Sequence, residues 1–281
     1  MTDLQGDHGN ITLTFVKQNG IGSQKIIRRK RDGELEYLPD ELTIEEPMEI
    51  CIGRKAIATT MRTPGQDEEL AAGFLLSEGV VHGRDQIASV SADSDNRIVV
   101  ELTGGVRLKL NSMKRFGTIS SSCGLCGKTT IEAIRQNFPA VPSTDIRVDI
   151  ETLLSVPETL RNAQSDFART GGIHAAGIFS LDGKLKIARE DIGRHNAVDK
   201  AIGRGVLDDL LPLNNHVLLV SGRASFEIIQ KALSAGIPIV AAVSAPSSLA
   251  VELARDSNQT LIGFLRPPSF NIYTHIERVI L

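Results

Sequence analysis

The chain has 281 residues, 41% hydrophobic and 23% charged, which suits a soluble globular protein of two domains or one large one. A formal net charge of −3 argues against a strongly basic nucleic-acid binder, and no apolar run is long enough to span a bilayer. Three cysteines are an odd count for a secreted disulfide framework and the N-terminus lacks a signal-peptide apolar region, so a reducing cytoplasm is expected.

In chain order, residues 1–24 are polar and glycine-rich and read as a loose tail or peripheral strand. Arg28, Arg29, Lys30 and Arg31 form a basic run, read as a solvated loop, with a phosphate or partner contact as the alternative. Strands are predicted at 48–53 and 56–62, with Cys51 as a buried small hydrophobe. Thr63-Pro64-Gly65 makes a turn into a helix at 67–77, which has acidic residues in its first turn and Gly79 just past its end. Short strands follow at 87–90, 97–102 and 106–110, the last two joined by Gly104-Gly105.

Two of the cysteines, Cys123 and Cys126, then stand in a C-x-x-C spacing, each followed by a glycine and set among small hydroxyl residues. Nothing nearby has the bulk to bury the sulfurs, so the stretch reads as an exposed loop. A helix predicted at 128–137 places Cys126 near its N-terminus, where the dipole and Lys128 favour thiolate over thiol.

Pro139, Pro142 and their small polar neighbours mark 138–144 as a linker. It divides an α+β region at 25–137, which ends in the cysteine loop and its helix, from an α/β domain at 145–281. In the latter a helix is predicted over 157–168 with proline at its start, and strands at 172–179 and 185–189 flank the hairpin signal Asp182-Gly183. A helix at 197–202, a strand at 216–220, a helix ending at 235, a strand at 237–243, a helix ending near 255 and a strand at 261–265 complete it. The repeated strand, loop and helix imply a largely parallel sheet.

Ligands of such a sheet collect beyond the C-terminal strand ends. Two loops there, 221–225 and 245–248, are rich in small hydroxyl residues, and the first carries Arg223. Helix-start amides, hydroxyls and an arginine suit a phosphate or pyrophosphate, while Ser225 and Ser247 serve equally well as plain N-caps. The segment 189–200 is dense in charge and includes His195, read as functional against the alternative of a salt-bridged helix start. His174 lies among tiny residues that let a ligand approach, with a satisfied structural histidine as the other reading. A structural zinc site needs four ligands, and no second C-x-x-C exists, so no metal is expected. The zinc-deaminase pattern fails at His174, and more than a hundred residues before the C-x-x-C weaken a thioredoxin-like reading.

Cys123-Gly124-Leu125-Cys126-Gly127, Thr170-Gly171-Gly172-Ile173-His174-Ala175-Ala176, the segment from Arg189 to Lys200 and Ser221-Gly222-Arg223-Ala224-Ser225-Phe226-Glu227 occur in that order. With Ala245-Pro246-Ser247-Ser248-Leu249-Ala250, Thr63-Pro64-Gly65 and Ala71-Ala72-Gly73-Phe74-Leu75, this set closely resembles the FdhD family from about residue 40 to the C-terminus. The resemblance implies a sulfurtransferase that takes sulfur from a cysteine desulfurase and passes it to the molybdenum cofactor, in its bis-guanine-dinucleotide form, for formate dehydrogenase. It implies that Cys123 carries the persulfide, with Cys126 either resolving it or relaying it. It also implies a C-terminal domain of cytidine-deaminase-like, three-layer fold without the zinc site, and a homodimer. The family's cofactor stretch matches Phe264, Leu265, Arg266, Pro267, Pro268 and Ser269. Here Pro267 and Pro268 depart from the expected glycine or polar residues and remove two backbone donors, so contacts shift towards Arg266 and Ser269. GDP or a GMP-like nucleotide would mimic the cofactor's ends in the small-residue loops, with Arg223 near a phosphate. The competing readings are a cofactor-binding chaperone with incidental cysteines and a zinc or dithiol redox protein.

Overall fold

The computed structural model describes residues 20–104, 138–142 and 145–281. Cys123, Cys126, the predicted strand at 106–110 and the predicted helix at 128–137 lie outside the described residues.

Residues 21–24, read as tail, begin β1 (Ile21–Arg29), which pairs antiparallel with β2 (Leu35–Thr43). The basic run is thus half strand: Arg28 and Arg29 end β1, and Lys30 in the turn sits 3.0 Å from Glu34. β3 (Glu46–Ile52), β4 (Lys55–Arg62), β5 (Ile87–Ser94) and β6 (Arg97–Leu102) form a four-stranded sheet in the order β4-β3-β6-β5. Cys51 is buried in β3, where its S–H lies 3.4 Å from Glu49 and its sulfur accepts from Arg97 Nε at 3.3 Å. α1 (Asp67–Ser77) has the predicted bounds.

The C-terminal part comprises β7 (Val148–Asp149), α2 (Ile150–Ala163), α3 (Ser165–Thr170), β8 (His174–Ser180), β9 (Leu185–Asp191), α4 (Arg194–Leu207), β10 (His216–Val220), α5 (Phe226–Ser234), β11 (Ile239–Ala242), α6 (Ser248–Asp256), β12 (Thr260–Arg266), β13 (Ser269–Thr274) and β14 (Val279–Ile280). The main sheet has six strands in the order β13-β12-β11-β10-β8-β9. It is mixed, not largely parallel: β10, β11 and β12 run parallel, whereas β8, β9 and β13 are antiparallel to their neighbours. The reason is local. The chain turns straight back at Asp182-Gly183 and at Pro267-Pro268, and a direct return yields an antiparallel pair. α2 also begins seven residues before the expected Pro157. Asp149 accepts the Glu151 amide at 2.8 Å, and Leu153, Val156 and Leu160 bury one stripe; that cap and stripe outweigh the donor missing at Pro157.

Alternation along the strands separates two cores. Leu218, Val220, Val240 and Ala242 share one with α4, α5 and α6, while Val217, Leu219, Ile239 and Ala241 share the other with α2. The sheet therefore sits between two helical layers. The first core continues through Leu70, Leu75 and Leu76 of α1 into Met48, Ile50 and Val100 of the smaller sheet. Phe138 and Val141, within the stretch read as a linker, are buried in it, and Val141 bonds to Ser257 and Asn258. Among the described residues no helix is long and apolar enough to cross a membrane.

α1 and α4 cross backbone against backbone. A Cβ on Gly73 would stand 1.9 Å from the Asp199 carbonyl oxygen, and one on Gly203 would stand 1.8 Å from that of Glu69. Gly203→Ala is therefore expected to destabilise the protein by about 3 kcal/mol or more, since the obstacle is backbone and cannot swing aside. Gly205→Ala, whose Cβ would meet only the Leu213 side chain at 3.4 Å, should be near neutral. Urea unfolding of the two variants checks the contrast.

Candidate functional site

One edge of the main sheet gathers the loops read as functional. β8 runs against β10, and His174 pairs with Asp191, so the start of β8 and the end of β9 lie beside the C-terminal ends of β10, β11 and β12. Hydrogen bonds carry the sheet into these loops. Ser221 N–H bonds to Ala175 O at 3.0 Å and Ser221 Oγ accepts Ala175 N–H at 2.9 Å. Ala224 N–H bonds to Ala245 O, Ser247 N–H to Ala224 O and Phe264 N–H to Ser244 O. The loops are thus a rigid rim, positioned by strands.

A cavity of about 590 Å³ opens on this edge, lined by His174, Ser221, Val243, Leu265, Arg266 and Pro267, with Arg161 and Phe167 opposite. Arg266 donates from Nε to Val243 O at 3.0 Å, which ties the β12 end to the β11 end. Leu265 is buried, Phe264 is exposed with φ at +52°, and Pro267, Pro268 and Ser269 are exposed in the hairpin. The structure thus joins His174 to Leu265, Arg266 and Pro267 of the 264–269 stretch, while Phe264, Pro268 and Ser269 do not line the cavity. Arg223, Ser225 and His195 do not line this cavity; Arg223 and Ser225 stand on the adjoining loop and His195 in the first turn of α4, and a Cβ on Gly222 would meet both His174 and Arg194.

His195 begins α4 with both ring nitrogens engaged: Nδ1 is 3.0 Å from Glu227 Oε2 and Nε2 is 3.0 Å from Ser225 Oγ. Burial, with the charges of Lys231, Arg194 and His174, pushes its pKa down to about 3, while the Glu227 contact pulls the other way. The ring is neutral at pH 7. Burial and the charges of Arg194 and Arg223 lower His174 as well. Neither serine behaves as the other does. Ser247 is an N-cap that accepts the Ala250 amide at 3.2 Å, whereas Ser225 makes no cap bond and turns to His195.

Most of the dense segment 189–200 is structural, against its functional reading. Arg189 pairs with Glu69, and Glu190 accepts the Asp166 and Phe167 amides at 3.0 and 2.9 Å. Asp191 and Lys200, both fully buried, pair at 2.8 Å, and Asp199 pairs with Lys231 at 2.7 Å and Ser77 Oγ at 2.8 Å. A chain that must fasten α4 to α1 and β9 uses its charges for that purpose. Arg194 and His195, in the first turn of α4, stand apart from these pairs. Arg194 Nε is buried with no hydrogen-bond partner among the described residues. Arg194 and Ser221 fell within stretches read as functional without being singled out, and Glu227 had no role assigned; it stands two positions after Ser225 in a helix first turn, where an acid usually needs no partner to be explained.

A model of the FdhD/NarQ family matches residues 43–280. Among curated proteins, the sulfur carrier protein FdhD of Streptomyces coelicolor is 48% identical over 272 residues, covering 93% of this chain and 96% of its own. That of Mycobacterium tuberculosis is 49% identical over 254 residues, covering 86% and 92%, and that of Sulfolobus acidocaldarius is 44% identical over 253 residues, covering 90% and 96%. The crystal structure of a formate dehydrogenase accessory protein from Desulfotalea psychrophila superposes with a TM-score of 0.74 at 26% identity, covering 92% of this chain and 98% of that one.

Both histidines set a pH dependence of known sign. Their native pKa values lie below the unfolded value near 6.5, so their contribution to stability is complete above about pH 6.5 and is lost as pH falls below it. Each costs up to about 1.4 kcal/mol per pH unit in that window. Between pH 7 and pH 5, His195→Gln should lose about 1–2 kcal/mol less stability than the unsubstituted protein, as read from urea midpoints at the two pH values.

Proposed function

Because this chain belongs to the FdhD/NarQ family, we propose that it is a sulfur carrier serving formate dehydrogenase. The observation that carries the reading is the near-full-length identity, 48% over 93% of the chain, with a protein named for sulfur carriage. In this reading the Cys123 thiolate attacks the outer sulfur of a cysteine desulfurase persulfide. The donor S–S bond breaks, the desulfurase cysteine leaves as thiolate, and Cys123 holds the transferred sulfur. Cys126 stands ready to resolve the persulfide as a disulfide or to relay it. The acceptor is the molybdenum cofactor in its bis-guanine-dinucleotide form, which supplies the metal that takes the sulfur.

The sheet edge suits the anionic ends of such a molecule. Arg194 Nε lacks a partner among the described residues, Arg266 borders the cavity, Arg223 is exposed beside it, and Pro267 and Pro268 offer no amide donors. Arginines therefore take the phosphates, and the cavity of about 590 Å³ takes an apolar or planar group against Leu265 and Val243. The three-layer part at 145–281 fits a cytidine-deaminase-like domain that binds the cofactor, and the α+β region at 25–137 presents the cysteines. A cytoplasmic homodimer that docks on the catalytic subunit of formate dehydrogenase completes the proposal.

Intact-protein mass spectrometry after incubation with an active cysteine desulfurase and L-cysteine tests the carrier role. Reductant-labile sulfur is expected on the unsubstituted protein and on Cys126→Ala, and not on Cys123→Ala. No added sulfur on any form would leave a cofactor chaperone as the better reading. Separately, Arg223→Ala should weaken GDP binding about tenfold or more, the scale of one lost charge-assisted contact; an unchanged affinity would remove Arg223 from the phosphate site.

A further inference from the structure

Ser225 and Ser247 hold equivalent places, each the residue before a helix that follows one of two adjacent parallel strands. Ser247 caps its helix, and Ser225 does not. The difference comes from His195 and Glu227. A carboxylate can only accept, so the proton of the neutral imidazole sits on Nδ1 and is donated to Glu227 Oε2 at 3.0 Å. That leaves a lone pair on Nε2, and the Ser225 hydroxyl, 3.0 Å away, donates its only proton into it. What Ser225 has left to offer is lone pairs. A hydroxyl in this state accepts a hydrogen bond and cannot give one, so it suits an N–H group and has nothing for a phosphate oxygen.

We propose that Ser225 is a specificity residue for the base of a guanine nucleotide, accepting a hydrogen bond from the exocyclic amine, with His195 and Glu227 as the positioning residues that fix it as an acceptor. The proposal rests on the reading that a guanine nucleotide occupies this edge. It removes the hydroxyl of Ser225 from the phosphate cradle and assigns the phosphates to the arginines alone. It also separates the two ends of the ligand by chemistry. Arg194, Arg223 and Arg266 present donors and positive charge, while the Glu227–His195–Ser225 chain presents an acceptor backed by a carboxylate. Phe226 follows Ser225 and is buried, so the hydroxyl is held by a helix start that cannot slide.

Calorimetric titration of the full chain with GDP and with IDP, which lacks the exocyclic amine, tests this. The unsubstituted protein should bind GDP about tenfold more tightly than IDP, the scale of one hydrogen bond that leaves a polar group unpaired when lost. In Ser225→Ala the GDP affinity should fall to that of IDP, with IDP little changed. In His195→Phe the serine is retained but its proton is freed, and the preference should shrink while the variant still melts cooperatively; a role in packing alone would leave the ratio intact. Equal affinities for the two nucleotides in the unsubstituted protein, or a preference undiminished in Ser225→Ala, would overturn the proposal. Binding of neither nucleotide would overturn the guanine-nucleotide reading itself, and the proposal with it, without touching the persulfide result.

Discussion

The contact between Gly73 and Gly203 fixes the distance on which the rest of the protein depends. Two helices far apart in the chain meet backbone against backbone, with no side chain at Gly73 or Gly203 to hold them apart. At that separation Ser77 reaches Asp199 at 2.8 Å, and Lys200 reaches the Thr63 carbonyl at 2.8 Å. A methyl group inserted at the crossing would move α4 by more than either bond tolerates. Because α4 starts with Arg194 and His195, the same displacement would move His195 away from Ser225. The crossing is therefore a packing feature with a consequence at the site.

The charges around it follow from the same geometry. Asp191, Asp199, Lys200 and Lys231 are all buried, and charges without water are tolerated only when paired and further hydrogen-bonded. Asp191 meets this demand by accepting from Lys200, from Asn196 and from the amides of Thr63 and Gly193. One carboxylate thereby joins the turn after β4, the end of β9 and the first turns of α4. Such pairs add little net stability over an apolar replacement, but each is intolerant of losing one member, which makes the arrangement specific.

These two constraints explain what could be read in advance. Local signals were sufficient where they agreed with the surroundings: 67–77 carries its acids and its glycine stop, and 97–102 and 216–220 are strands from end to end. Non-local features were not legible. The hairpin at Asp182-Gly183 was legible, but that β8 would lie antiparallel against β10 was not, and α2 began at a cap whose value lay in the stripe it let Leu153, Val156 and Leu160 bury. The segment 189–200 reads as functional because charge density is the same signal whether the partners are ligands or buried helices. Its partners Glu69, Thr63 and Lys231 lie far away in the chain. His174 lines one cavity with Leu265, Arg266 and Pro267, residues distant from it in the chain. Cys123 and Cys126 lie outside the described residues, so the sulfur chemistry rests on sequence and kinship.

A hydroxyl before a helix is ambiguous in sequence because its one proton and its lone pairs can serve either the backbone or a ligand. The ambiguity is resolved by whichever neighbour needs the proton most. Near Ser247 no base competes, and the helix amide takes the oxygen. Near Ser225 a neutral imidazole presents a lone pair; burial and nearby cations keep the ring neutral, and the carboxylate on its far side holds the ring proton on Nδ1. Arg194, one of the cations of this edge, thus also helps burial to keep His195 unprotonated, and an unprotonated His195 commits the Ser225 proton. Electropositive surroundings and an acceptor-only serine are two results of one charge distribution, which is how a single sheet edge can meet the opposite demands of a phosphate and of a base.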